Sequence, residues 1–313
     1  MKAYVLNEFG GVENLKLKEI EKPKISEKEV LIKVKAISIN PVDVRTRAGY
    51  AMAEYLKKDM PLILGWDISG IVEEVGEKVT KFKTGDAVFG MINFLGHGKG
   101  YAEYVVASEN HIAKKPDNVS FEEAASATLA ALTAWQFLIN DAMIKKGDRV
   151  LIQAASGGVG HFAVQIAKHF GAYVIGLASS KNKDFILSLG ADEYISYDKQ
   201  EVTDLVKNMD IVIDPFAKEN LYKSLELTKK GGVIISLLPM IGEDIKEKAK
   251  EKNVKITYSL VDSNGENMRQ IAELMEKGKI KSYVSKVFNF NEMDKAHLAM
   301  ETGKTVGKIV IRI

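Results

Sequence analysis

Residues Arg149 to Ser180 read RVLIQAASGGVGHFAVQIAKHFGAYVIGLASS. Val150-Leu151-Ile152 is an apolar run short enough for a buried parallel strand, and Ser156-Gly157-Gly158-Val159-Gly160 is a glycine turn. A helix follows whose Phe162, Val164, Ile166, Ala167 and Phe170 can face a sheet, and then a second strand, Tyr173 to Ala178. Strand, turn, helix and strand fit the ~30 residues of a βαβ dinucleotide-binding unit. Gly157 lets the backbone approach a pyrophosphate, and Gly160 lets the helix pack closely on its strand. The free N–H groups and positive dipole end of the new helix suit a diphosphate. Ser156, Gly157, Gly158, Val159 and Gly160 are therefore candidate cofactor contacts, although such a turn also serves as plain strand-to-helix structure. Ala155 stands where the G-x-G-x-x-G pattern has its first glycine.

A chain of 313 residues has room for two domains. Lys+Arg 44 against Asp+Glu 42 leaves a net charge of +2, which gives no reason to invoke nucleic acid or an anionic membrane. No apolar run nears the ~18–20 residues that span a bilayer, and Met1-Lys2-Ala3-Tyr4-Val5 enters strand-like sequence without a signal-peptide core. A cytoplasmic protein is expected. The absence of cysteine excludes disulfides, thiolate catalysis and cysteine-based zinc sites. His97, His111, His161, His169 and His297 form no pair at metal-ligand spacing, so no metal is expected.

Before about Pro116 the chain reads as short strands and glycine turns, as in Val30–Ile37, Gly70–Gly76 and Lys83–Gly90. Ser120 then caps a helix running to Phe137, and Ser120-x-x-Glu123 matches a capping box. Strands and helices alternate over the next ~110 residues, with a helix Lys218–Thr228 ending near Gly231-Gly232, which predicts a doubly wound parallel sheet. After Leu260 the rhythm breaks, and the last helices and strands are free to fold back on the N-terminal unit. The expected domains are residues 1–120 plus 261–313, rich in β structure, and residues 121–260, an α/β unit. No Pro/Ser linker separates them, so they should be closely joined around a cleft.

Ordered motifs run the length of the chain: Asn40-Pro41-Val42-Asp43, Gly65-Trp66-Asp67-Ile68-Ser69-Gly70, Gly85-Asp86-Ala87-Val88, Gly100-Tyr101-Ala102-Glu103, Ala131-Leu132-Thr133-Ala134-Trp135, the 154–160 turn and Gly307-Lys308-Ile309-Val310. With these the sequence resembles the zinc-independent quinone oxidoreductase branch of the medium-chain dehydrogenase/reductases. The resemblance implies a GroES-like catalytic domain built from both chain ends, with a Rossmann domain inserted between them. It also implies that alanine at position 155 is harmless. Zinc alcohol dehydrogenases of the superfamily carry Gly-His-Glu where this chain has Gly65-Trp66-Asp67, so Trp66 takes the place of a histidine ligand. Without Zn²⁺ as Lewis acid an alcohol is not readily ionised at neutral pH, whereas a conjugated acceptor is already electrophilic. Hydride transfer to a quinone or an α,β-unsaturated carbonyl is the expected reaction. By the same resemblance Thr133 and Val159 flank the nicotinamide, Asn40 and Asp43 line the cleft, and Tyr50 is a polar handle for the substrate oxygen. Asp43 equally suits a local turn hydrogen bond. A homodimer is the expected assembly.

An NAD-specific sheet places Asp or Glu at the end of the second strand, ~20 residues after the glycines, to bind the ribose 2′-OH. Here that place holds Ser179, Ser180, Lys181, Asn182 and Lys183, with no acid before Asp184. Hydroxyls and ammonium groups suit a 2′-phosphate, so NADPH is the expected cofactor. Tyr197 matches a nucleotide-contacting tyrosine of the family, or is simply an exposed loop aromatic. Asp214-Pro215-Phe216-Ala217 departs from the family's glycine-containing turn. Two other readings stay open, an enoyl-thioester reductase of the same superfamily and a non-catalytic NADPH-binding redox sensor.

Overall fold

In a computed structural model, residues 1–216 and 218–313 are described. They form two compact units, Met1–Leu132 with Asp262–Ile313, and Thr133–Val261. Residues 121–132, expected to open the α/β unit, belong to the first.

The second unit is built on a parallel sheet of six strands among the described residues. In spatial order they are Glu193–Ser196, Tyr173–Ala178, Arg149–Gln153, Met209–Asp214, Thr228–Ser236 and Lys255–Tyr258. This is the doubly wound order in which the chain first builds outward in one direction and then in the other. The reversal falls at Arg149–Gln153, the strand that feeds the glycine turn, whose Leu151 pairs with Ile175 on one side and Val212 on the other. Val150, Leu151 and Ile152 are fully buried because a parallel sheet is covered on both faces. Leu151, Ile175, Leu177, Val212, Leu221, Ile234 and Ile245 share one apolar cluster. The helix expected over Lys218–Thr228 forms, beginning at Glu219. The helix stops at Leu227, and both glycines lie inside the strand Thr228–Ser236, where the pairing register shifts between Met209 and Ile211.

In the first unit the long strand Glu29–Ile39 pairs antiparallel with Asp67–Val75, Tyr104–Ser108 and Lys308–Arg312. Ile309 faces Ile39 and Ile311 faces Ile37, so the last strand of the chain completes a sheet begun near its start. Ala36, Ala125 and Val310 pack together on this sheet. The helix expected from Ser120 to Phe137 is broken. Phe121–Ser126 is separate from Leu129–Gln136, and a π-helical turn Phe137–Asp141 follows. The capping box is present, with Glu123 N–H donating to Ser120 Oγ at 3.2 Å and Ser120 N–H to Glu123 Oε2 at 2.9 Å.

Candidate functional site

The glycine turn leaves the strand Arg149–Gln153 and opens the helix Gly158–His169. Its sharpest backbone residue is Ala154, at φ 49°, and Gly157 N–H closes the turn on Ala154 O at 2.8 Å. Ala155 is not the left-handed residue. It is fully buried with its N–H on Leu177 O at 3.0 Å, so its methyl group is accommodated without strain. Gly160 cannot be replaced so easily, since a Cβ there would stand 2.3 Å from Ala154 O. Phe162, Val164, Ile166 and Ala167 are fully buried, and His161 is held by its Nδ1 against Gly157 O at 2.9 Å. Gly157 is the N-cap and makes no side-chain capping bond, so the first-turn N–H groups are not closed off by their own cap. These residues fit a diphosphate group, the backbone tight where glycine is required and the helix end electropositive. Ser156, Gly157, Gly158 and Val159 line the turn as half-buried residues.

At the end of Tyr173–Ala178 the other expected cofactor residues come together. Ser179 and Ser180 are half-buried, Lys181 and Lys183 are exposed, and Tyr197 is 60% exposed. Asn182 Nδ2 donates to Ser156 Oγ at 3.0 Å and Ser179 Oγ at 3.1 Å, tying this segment to the glycine turn. Ser180 turns both of its donors on Asp198, the N–H at 2.8 Å and the hydroxyl at 2.9 Å. Asp198 is the residue the linear spacing missed. It follows the adjacent strand Glu193–Ser196, so the sheet places it beside Ser180 although the sequence does not. At the end of Met209–Asp214, the Asp214 carboxylate accepts from Phe216 N–H at 2.9 Å, Asn220 Nδ2 at 2.9 Å and Ser224 Oγ at 2.7 Å. This carboxylate braces the start of the segment that departs from the family's glycine-containing turn. Ala217 lies outside the described residues. Thr133 lies on the helix Leu129–Gln136 and is 6% exposed.

In the first unit, Asn40 and Asp43 belong to a buried polar cluster. Asn40 Nδ2 donates to Asp67 Oδ2 at 2.8 Å, and Lys308 Nζ donates to Asn40 Oδ1. Asp67 Oδ1 accepts the Leu129 N–H at 3.0 Å, and Lys308 Nζ stands 3.8 Å from Asp67 Oδ2. Asp43 Oδ2 accepts the Asn40 N–H at 2.7 Å in a capping box that starts the helix Pro41–Arg47, the local bond that was its second reading. Burial pushes the Asp43 carboxyl up to about 8, the Asp67 carboxylate adds to the effect, and Lys308 opposes it. Burial also raises Asp67 and lowers Lys308, each pulled back toward its charged form by the other. Keeping Asp43 neutral spares the dry interior a second negative charge beside Asp67. Nearby, the Tyr101 hydroxyl lies 3.0 Å from His297 Nε2, and burial with the Arg47 charge lowers His297 to about 3. Arg47 itself pairs with Glu301.

Asn40 and Asp43 are 1% and 0% exposed; both ends of the Asn40 amide are bonded within the protein, whereas Asp43 Oδ1 has no hydrogen-bond partner. Tyr50 is the opposite case, 71% exposed on the turn after the helix Pro41–Arg47. Trp66 is 1% exposed, donates Nε1–H to Gly96 O at 2.8 Å and packs edge-on against Phe94. Among the described residues no group of three or more His, Cys, Asp or Glu side chains is arranged to hold a metal ion. Among them, too, no helix is long and apolar enough to cross a membrane.

Comparison with known proteins gives a consistent picture. Residues 26–117 match the alcohol dehydrogenase GroES-like domain, and residues 189–311 match the family described as zinc-binding dehydrogenase. The chain is 35% identical over 321 residues to a 2-methylene-furan-3-one reductase of Solanum lycopersicum, covering 99% of this chain and 79% of that protein. It is 33% identical over 321 residues to an NADPH-dependent alkenal/one oxidoreductase, chloroplastic, of Arabidopsis thaliana, with the same coverage of 99% and 79%. Among solved structures, the quinone oxidoreductase from Coxiella burnetii is 38% identical with a TM-score of 0.93, covering 100% of this chain and 99% of that one.

Proposed function

The chain belongs to the zinc-independent quinone oxidoreductase branch of the medium-chain dehydrogenase/reductases, a family of NAD(P)H-dependent oxidoreductases, and from that premise we propose that it reduces a quinone or an α,β-unsaturated carbonyl with NADPH and without zinc. What supports the reading is the state of the residues at the superfamily's metal position. Trp66 is locked into the core through Gly96 O, and the Asp67 carboxylate is taken up by Asn40 and the Leu129 N–H. Neither side chain is available to a Lewis acid, and a conjugated acceptor requires none.

When bound, the dinucleotide supplies the hydride that adds to a quinone carbon or to the β-carbon of an enone. The protein's share is binding and orientation. The uncapped N-terminus of Gly158–His169 receives the diphosphate, and Gly160 keeps that helix close on its strand. Lys181 and Lys183 face the 2′-phosphate, with Ser179, Ser180 and Tyr197 beside them. Thr133 and Val159 position the nicotinamide ring. Asn40 and Asp43 act as positioning residues through the buried cluster, and Tyr50 is assigned to the substrate oxygen. A cytoplasmic homodimer is the assembly proposed with this activity.

NADPH consumption with 1,2-naphthoquinone, 2-alkenals and a crotonyl thioester tests the reading. Turnover of a quinone or alkenal is expected. A thioester preferred by two orders of magnitude points instead to the enoyl-thioester reductase. Tight NADPH binding with no turnover of any acceptor points to a redox sensor.

A further inference from the structure

The second strand of the parallel sheet ends without an acid of its own, yet a carboxylate stands at its end. One oxygen of Asp198 accepts the Ser180 N–H at 2.8 Å and the Ser196 hydroxyl at 2.6 Å, and the other accepts the Ser180 hydroxyl at 2.9 Å. The Ser196 hydroxyl, then that of Ser180, holds this carboxyl down at about 2, so it is ionised throughout the working pH range. In dinucleotide-binding sheets this is the place where the ribose 2′ position is read, by an acid for a hydroxyl and by cations and hydroxyls for a phosphate. Both kinds of reader are present here. Lys181 and Lys183 are exposed cations, while three hydrogen bonds fix the Asp198 carboxylate. Both donors of Ser180 point at Asp198, whereas the hydroxyls of Ser156 and Ser179 accept from Asn182 and keep their own protons to donate. The site therefore offers a 2′-phosphate two cations and the Ser179 hydroxyl but opposes it with one fixed negative charge.

We propose that Asp198 is a specificity residue, supplied from the neighbouring strand, that disfavours a 2′-phosphate and lets the site accept NADH alongside NADPH. This rests on the dinucleotide reading of the glycine turn. A second negative charge beside the phosphate costs affinity by Coulomb repulsion, and salt screens that cost.

The test is Asp198→Asn, which keeps the shape and an acceptor for Ser180 while removing the charge. Dissociation constants are measured by fluorescence titration for NADPH and NADH, and by calorimetry for 2′,5′-ADP and 5′-AMP. The expected result is an NADPH-over-NADH preference raised about fivefold, as befits one solvent-screened charge, with NADH affinity changed less than twofold. The gain should be mirrored by 2′,5′-ADP over 5′-AMP and should shrink between 20 mM and 500 mM salt. An unchanged ratio, or weaker NADPH binding in the variant, overturns the role of Asp198 while leaving the cofactor reading intact. Failure of the unmodified protein to bind any of the four nucleotides overturns both.

Discussion

Individual side chains in the two units make separate demands on charge. For Lys181 and Lys183 the expectation is direct: replacing both by alanine should weaken NADPH binding by about tenfold and NADH by less than twofold, because only the former carries a 2′-phosphate. Equal losses in a side-by-side titration would remove the lysines from the phosphate site. Asp43 and His297 act on stability instead. His297 has an ordinary value of 6.5 and is lowered to about 3 when folded, so its contribution is complete above 6.5 and is lost as pH falls toward 3. Asp43 rises from 3.8 to about 8 when folded, so stability tied to its neutral form is complete below 3.8 and is lost as pH rises toward 8. Each slope is about 1.4 kcal/mol per pH unit, and the two have opposite signs. Between pH 3.8 and 6.5 the two oppose each other; from 6.5 to 8 the His297 contribution is complete and Asp43 lowers stability. Asp43→Asn should remove that fall and uncover the rise from 4 to 6.5 that belongs to His297. His297→Gln should uncover a continuous decline from 4 to 8. Urea midpoints across this range would decide the matter, and profiles parallel to the unmodified protein would refute the assignment.

Elements formed by local signals were readable in the chain, and those formed by distant partners were not. The strand Tyr173–Ala178 begins and ends where its apolar run does, and the Ser120–Glu123 box forms as its spacing requires. The helix after it breaks at Ala127-Thr128 for reasons that no window of sequence contains. Thr128 Oγ1 donates back to Ala125 O at 2.8 Å, and the next helix starts with its Leu129 N–H on Asp67, far away in sequence. Asp198 escaped notice for the same reason, since sheet pairing alone carries it to Ser180. At the candidate site the turn from strand to helix at the glycines was legible, while the buried cluster around Asn40 and Asp43 was not, because Lys308 comes from the other end of the chain. The helix Gly158–His169 supplies its own test. Gly160→Ala must move the helix away from Ala154 O and should cost roughly 1–3 kcal/mol of stability. It should also weaken dinucleotide binding, since the first-turn N–H groups move with the helix. Thermal melts with and without NADPH separate the two losses. A variant that melts normally and is fully stabilised by NADPH would show that the close approach is dispensable.

At the scale of the whole molecule, residues 133–261 close their own sheet, while the unit around them needs both termini. The strand Glu29–Ile39 waits for Lys308–Arg312, and Asn40 and Asp67 wait for Lys308. Deleting residues 308–313 should therefore leave the dinucleotide-binding unit folded while the first unit becomes protease-sensitive; equal resistance of both units in a timed digest would argue against this dependence. The pairing of Ile309 with Ile39 also fixes a schedule for synthesis. A polypeptide leaving the ribosome presents its central, nucleotide-binding part complete while its first hundred residues still lack an edge partner. Residues 36–39 thus gain their second neighbour only once Lys308–Arg312 has been made, and until then one side of that hydrophobic stretch stays open to aggregation.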